Sequence, residues 1–133
     1  DGSVGESTEL TIDGYLYQSN DVDAFYFYTE DSLLDAGFDV LIDSVPDSVD
    51  IAFAIDFVPA IDDGNGNPTP DWANIDADLR VENANSLGES ESGCIGELGF
   101  CFTTGYQTGF YVIRVFSGAG EDCSDTYTLT VTD

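Results

Sequence analysis

Residues 51–57 alternate between large apolar side chains and small or polar ones, in the order Ile51-Ala52-Phe53-Ala54-Ile55-Asp56-Phe57. A period of two is typical of a β-strand that buries one face, because successive side chains of a strand point to opposite sides. The segment therefore predicts a strand whose larger side chains line a hydrophobic core.

The same alternation recurs along the rest of the chain, and turn residues separate the runs. It predicts seven more strands, near 9–17, 23–30, 38–42, 79–81, 98–102, 111–115 and 127–131. The one helical candidate is 30–36, and 59–75 is predicted as a long polar loop. This pattern predicts an all-β fold, a jelly-roll-like two-sheet β-sandwich of about eight strands over residues 9–133, preceded by a tail at 1–8.

The charge balance is strongly acidic. The 133 residues carry 27 Asp and Glu against two arginines, Arg80 and Arg114, and the net charge is -25. Such a field disfavours nucleic acid and anionic lipid surfaces, and no apolar run is long enough to insert into a membrane. It favours calcium or basic partners, while a solubilising surface adapted to a salty habitat is an equal alternative. We expect a mature form or a domain of a longer secreted, extracellular chain.

Three segments together resemble a known family. They are Gly14–Leu16 followed by 21–27, then 109–115, and finally 127–131. In this order and spacing they are similar to the bacterial pre-peptidase C-terminal (PPC) domain, which is related to collagenase collagen-binding domains. The resemblance implies a non-catalytic sandwich that accompanies exported proteins, and some members bind calcium or polymeric ligands. The acidic-Pro-Asn segment that usually precedes the first strand is missing, since the chain has 2–7 as Gly-Ser-Val-Gly-Glu-Ser.

The residues needed for base-assisted catalysis are missing from the sequence. Histidine and lysine are absent, so Ser–His–Asp, Cys–His and Ser–Lys arrangements cannot form. Carboxylate pairs carry little information among 27 acids. We therefore expect a protein that is not an enzyme.

One loop is a candidate calcium site. Its oxygen-bearing residues are Asp62, Asp63, Asn65, Asn67 and Asp71. Calcium takes six to eight oxygen ligands in irregular geometry, and the alternation of these residues partly matches a calcium-loop pattern. A solvated Gly/Asn turn is the equal alternative.

Aromatic residues are predicted on the outer side of several strands. They are Tyr15, Tyr17, Tyr26, Tyr28 and Phe110. Adjacent antiparallel strands bring same-face residues into register, so the four tyrosines are predicted to form one outward patch. Such a patch requires a cover, which is either the domain's own 59–75 loop with Trp72, a neighbouring subunit or a ligand.

The three cysteines leave one without an intramolecular partner. Short separation favours a Cys94–Cys101 disulfide, because closing a small loop costs little entropy. Cys94–Cys123 is the alternative, if both residues lie at the same end of the sandwich. With the first pairing, Cys123 is free or forms an intermolecular bond.

Two classes of function fit these observations. In the first, the chain is a non-catalytic extracellular subunit that self-assembles with other copies into a fibre or surface layer and is stabilised by calcium. In the second, it is an accessory module of a secreted hydrolase that binds a polymeric extracellular ligand or substrate.

Overall fold

The computed structural model describes residues 9–18, 20–29, 37–83, 86–96 and 108–132, with the backbone alone at Cys123. The described chain is almost entirely extended. Its elements are β1 (Glu9–Leu16), β2 (Val22–Thr29), β3 (Gly37–Asp43), β4 (Asp50–Val58), β5 (Ala60–Asp62), β6 (Pro68–Pro70), a 3-10 turn (Trp72–Asn74), β7 (Asp76–Asn83), β8 (Glu91–Gly96), β9 (Gly109–Ala119) and β10 (Asp122–Thr132).

Eight of these strands form two four-stranded antiparallel sheets. Sheet 1 has the order β1-β10-β3-β8, and sheet 2 has the order β2-β9-β4-β7. The chain passes from one sheet to the other between β1, β2, β3 and β4, and again between β7, β8, β9 and β10. This is a jelly-roll arrangement, so the predicted all-β sandwich is confirmed. The short strands β5 and β6 form a separate hairpin.

The core lies between the sheets, and β4 is buried on both of its faces. Ile51, Phe53, Ile55 and Phe57 belong to the main core cluster, to which all eight main strands contribute. On the other face of β4, Ala52 and Ala54 are also buried. A strand buried on both faces requires a second cover outside the sandwich.

The strand boundaries differ from the sequence prediction in two places. Residues 59–75 were predicted as a polar loop but contain β5, β6 and the 3-10 turn. β8 has a weak pattern, Glu-Ser-Gly-Cys-Ile-Gly, and alternation did not identify it. The predicted strand at 98–102, the helix at 30–36 and the tail at 1–8 lie outside the described residues.

A buried tyrosine ties the two sheets together. Tyr127 of β10 is 1% exposed, and its hydroxyl donates a 2.6 Å hydrogen bond to Asp23 Oδ2 of β2. Burial and the Asp23 carboxylate both raise the pKa of Tyr127, and burial raises the pKa of Asp23. The ring lies against Gly14 of β1, where an added Cβ would be 2.3 Å from the hydroxyl oxygen. Gly14 is therefore required by this close approach.

Replacing Gly14 with alanine should lower the free energy of unfolding by about 1–3 kcal/mol, the usual cost of overpacking. The added methyl group overlaps the ring of Tyr127, which is held by Asp23. Urea unfolding measures the change. Thr11→Ala, at an exposed position of the same edge strand, is the control and should change stability by less than about 0.5 kcal/mol. Wild-type stability for Gly14→Ala would show that Tyr127 does not pack against β1.

Candidate functional site

The four predicted tyrosines do not form one patch. β1 belongs to sheet 1 and β2 to sheet 2, so the outer faces that carry the two pairs point in opposite directions. The β1–β2 connection crosses between sheets and is closed by Asp21, whose carboxylate accepts a hydrogen bond from the Tyr17 N–H. The prediction of a single patch is therefore wrong, because it treated consecutive strands as sheet neighbours. Tyr15 and Tyr17 stack on each other, with ring centroids 5.5 Å apart.

The second pair belongs to an aromatic surface on the outer face of sheet 2, which comprises Tyr26, Tyr28, Trp72 and Phe110. Tyr26 makes edge contacts with Trp72, at a centroid distance of 5.7 Å, and with Phe110, at 6.0 Å. Tyr28 contacts Phe110 at 5.2 Å. These are the tilted and edge geometries that aromatic pairs favour.

The aromatic surface lies over a second, smaller apolar cluster. Val58, Phe110 and Val112 are buried there, and Tyr28 and Ala60 pack against them. Phe110 was predicted to be an exposed interface residue, but it is 7% exposed, because it belongs to this cluster and Tyr26 and Tyr28 contact its ring. The cover comes in part from the chain's own 59–75 segment, as one of the alternatives predicted. The cover is incomplete, since Tyr26 is 58% and Trp72 51% exposed.

An ion pair lies beside this cluster on the same face. The guanidinium of Arg114 donates to both carboxylate oxygens of Asp56, at 2.7 and 3.0 Å, and to Asp78 at 2.6 Å. The hydrogen bonds to Asp56 raise the pKa of Arg114. Small residues flank the arginine, because Ala24 and Ala54 are its cross-strand neighbours. Asp78 adopts a left-handed conformation, with φ of 58°, and its N–H donates to Asp56.

Sequence reasoning did not identify this ion pair, although two signals were present. Arg114 is one of two cations in the whole chain, and it interrupts an apolar strand. Asp56 interrupts another. A charge on an otherwise buried strand needs a partner of opposite sign, so the two could have been matched.

The predicted calcium loop folds as a turn that binds its own backbone. Asp62 Oδ1 accepts hydrogen bonds from the N–H groups of Gly64 and Gly66. Asp63 Oδ1 accepts from the N–H groups of Asn65 and Asn67, which lowers the pKa of Asp63. These bonds are those of the Gly/Asn turn, the alternative that the sequence left open.

The remaining predicted ligand does not join the other carboxylates. Asp71 Oδ2 accepts a 2.7 Å hydrogen bond from the side-chain amide of Asn74. Across the described ranges, no group of three or more His, Cys, Asp or Glu side chains is placed to hold a metal ion. Calcium therefore stays a prediction that rests on net charge.

Cys94 and Cys123 are far apart along their strands. Cys94 is disulfide-bonded and lies within β8, opposite Asp39 of β3. Asp39 is opposite Thr132, the last residue of β10, whereas Cys123 is the second residue of that 11-residue strand. At about 3.3 Å per residue the two ends are roughly 30 Å apart. The premise that Cys94 and Cys123 lie at the same end is therefore wrong.

The comparison of the sequence with protein-family models gives no match, and the comparison with curated proteins gives none either. The resemblance to the PPC domain accordingly stays a prediction. In the described part of the chain, no helix has the length and apolar character needed to cross a membrane.

Removing the Arg114 side chain should destabilise the domain by about 3 kcal/mol or more, because it leaves the Asp56 carboxylate buried without its cation. The variant is Arg114→Ala, measured by chemical unfolding. Arg80→Ala is the matched control, since Arg80 pairs with Glu82 at 2.7 Å with both side chains more than a quarter exposed. Its cost should be at most about 1 kcal/mol. Equal losses for the two variants would contradict a special role for Arg114.

Peptide mapping without reduction should find Cys94 linked to Cys101. The Cα atoms of a disulfide are about 4.4–6.8 Å apart, a distance that excludes Cys123 of the same chain. Cys101 lies outside the described residues, so the pairing stays a prediction. Recovery of a Cys94–Cys123 peptide from the monomer would contradict it.

Proposed function

We propose that this chain is a non-catalytic structural subunit of an extracellular assembly, which associates with other copies of itself through the aromatic surface. The observation that carries the proposal is the exposure of Tyr26 and Trp72 directly above a buried apolar cluster. Exposed aromatic side chains supported from below by packed apolar residues are typical of the centres of protein interfaces. Tyrosine and tryptophan also lose little conformational freedom when they are covered.

The net charge sets the conditions for association. At -25 per chain, copies repel one another at low ionic strength. Assembly therefore requires high salt or a divalent cation, and calcium enters the proposal as a counter-ion for exposed carboxylates such as Asp62 and Asp63. A basic partner would reduce the repulsion in the same way.

The absence of catalysis and the extracellular location are supported by sequence. The chain contains no histidine or lysine that could act as a base. The resemblance to the PPC domain supports export and a non-catalytic role. A surface this acidic suits a medium rich in salt or calcium.

A second candidate function is an accessory module that binds an extracellular ligand. A hollow of about 260 Å³ lies beside Arg114, lined by Asn20, Asp21, Val22, Arg114, Phe116 and Ser117. It combines apolar walls with carboxylate, amide and hydroxyl groups, as ligand sites do. The partial cover of sheet 2 by residues 59–75 also reduces the surface left for another copy.

Light scattering after size exclusion should show wild-type protein associating in 1 M NaCl or in millimolar CaCl₂, and remaining monomeric at low salt. Replacing Tyr26 and Trp72 together with serine should weaken association at least about tenfold, as expected for central aromatic residues of an interface. The matched control is the double variant of Tyr15 and Tyr17 to serine, which removes two exposed aromatics from sheet 1. Thermal melting confirms that each variant is folded. A wild-type monomer under all these conditions would overturn the proposal and favour the accessory module.

A further inference from the structure

In the part of the chain that the structure describes, each main sheet has two edge strands, and three of these four carry features that hinder the addition of another strand. β1 has a register shift between Gly14 and Leu16. β7 has a break in register opposite the Ile55–Phe57 segment and the left-handed residue Asp78. β8 is only six residues long and contains two glycines. Bulges, charges and short length are the usual protection of sheet edges.

The fourth edge, β2, has none of these features. Its eight residues pair with β9 in an unbroken register. Its sequence, Val-Asp-Ala-Phe-Tyr-Phe-Tyr-Thr, contains a single charge, Asp23, whose carboxylate already accepts a hydrogen bond from Tyr127. Within the described ranges, β9 is the one strand that pairs with β2. A long, regular and apolar edge of this kind is a template for strand addition.

The exposure of the β2 side chains agrees with an open edge. Val22 is 51% exposed, and Ala24 is also exposed although its cross-strand neighbour is Arg114. Phe25 packs against the main core but is only half-buried. The margin of the sandwich along β2 therefore leaves apolar surface in water.

We propose that β2 pairs antiparallel with β2 of a second copy, about a two-fold axis at Tyr26, so that the two copies of sheet 2 form one continuous eight-stranded sheet. This inference rests on the proposed self-assembly and specifies its contact. The contact is isologous, with the same strand contributed by both copies. It also brings the exposed parts of the two aromatic surfaces together.

The distribution of charge favours a second copy of the chain as the partner of β2. The chain has 27 acids in 133 residues but only one in the eight of β2. Contact along β2 therefore brings few like charges together in a protein that repels itself elsewhere. The other edge of the same sheet, β7, carries Asp76, Asp78 and Glu82.

Side-chain size and charge select the register. Residues directly opposite in an antiparallel pair lie on the same face of the sheet. In a pair of identical strands the two-fold axis therefore passes through a residue position and not between two residues. With the axis at Tyr26, small Ala24 is opposite Tyr28, Phe25 is opposite Phe27, and Asp23 is opposite Thr29. With the axis at Phe25, Asp23 would instead be opposite Phe27, which would desolvate a carboxylate against a phenyl ring.

The first test introduces a charge at the edge. Ala24→Lys should weaken association about tenfold or more, because the change occurs twice in a two-fold contact and disrupts a cross-strand pair each time. Val81→Lys is the matched control. Val81 is 53% exposed and lies in the same cross-strand row as Ala24, Arg114 and Ala54, but on β7. It adds the same charge and should leave the association constant within about twofold of wild type.

The second test traps the register. In a Cys123→Ser background, an oxidised mixture of the Ala24→Cys and Tyr28→Cys variants should form a cross-linked dimer, whereas either variant alone should not. Opposite Cα atoms in an antiparallel pair are about 4.5–5.5 Å apart, within the range of a disulfide. Association without this cross-link, and unaffected by Ala24→Lys, would overturn the β2 contact while leaving self-assembly in place. A protein that stays monomeric in salt and calcium would overturn both.

Discussion

The burial of β4 on both of its faces is the constraint from which the other features follow. Its larger side chains fill the space between the sheets, while Ala52, Ala54 and Val58 are buried on the outer side of sheet 2, where Val58 belongs to a second apolar cluster. Exposing that outer face to water would be unfavourable, because the side chains of Ala52, Ala54 and Val58 are apolar. The chain therefore has to supply a cover, and residues 59–75 provide part of it, since Ala60 packs against the cluster of Val58 and Trp72 contacts Tyr26.

Asp56, a charged residue on the outer face of β4, shows how a polar group is accommodated there. Asp56 is 6% exposed, and a lone carboxylate at that depth would be costly. Arg114 lies diagonally from it on β9 and donates to both of its oxygens, while the Asp78 backbone supplies a further donor. The left-handed Asp78 and the register break in β7 are consistent with this demand, because they bring an N–H and a carboxylate into reach.

The cover is smaller than the apolar face beneath it, so part of the apolar surface stays exposed to water. Val58, Phe110 and Val112 are covered, but Tyr26 and Trp72 extend the same apolar cluster to the surface. The adjoining edge strand β2 is apolar and almost uncharged. Acidic residues dominate the charge of the chain as a whole, so the molecule combines general repulsion with an apolar region along β2 and the aromatic surface that carries little charge.

The sequence by itself determined the class of fold, because strand alternation is a local property and follows from the direction of successive side chains. Strand alternation identified seven of the eight main strands but not β8. The eighth predicted strand, at 98–102, lies outside the described residues. The alternation pattern did not identify β8, because Gly93 has no side chain and so carries no hydrophobic signal. A Cβ at this position would be 3.1 Å from Phe53. The reason for that glycine lies on another strand.

Only the tertiary structure decided which strands are neighbours. Alternation specifies the face of each side chain within its own strand but not the sheet to which the strand belongs. It therefore could not separate Tyr15 and Tyr17 from Tyr26 and Tyr28, nor pair Arg114 with Asp56, 58 residues away. These contacts depend on crossings between the sheets, which are set by how the whole core packs and not by any local pattern.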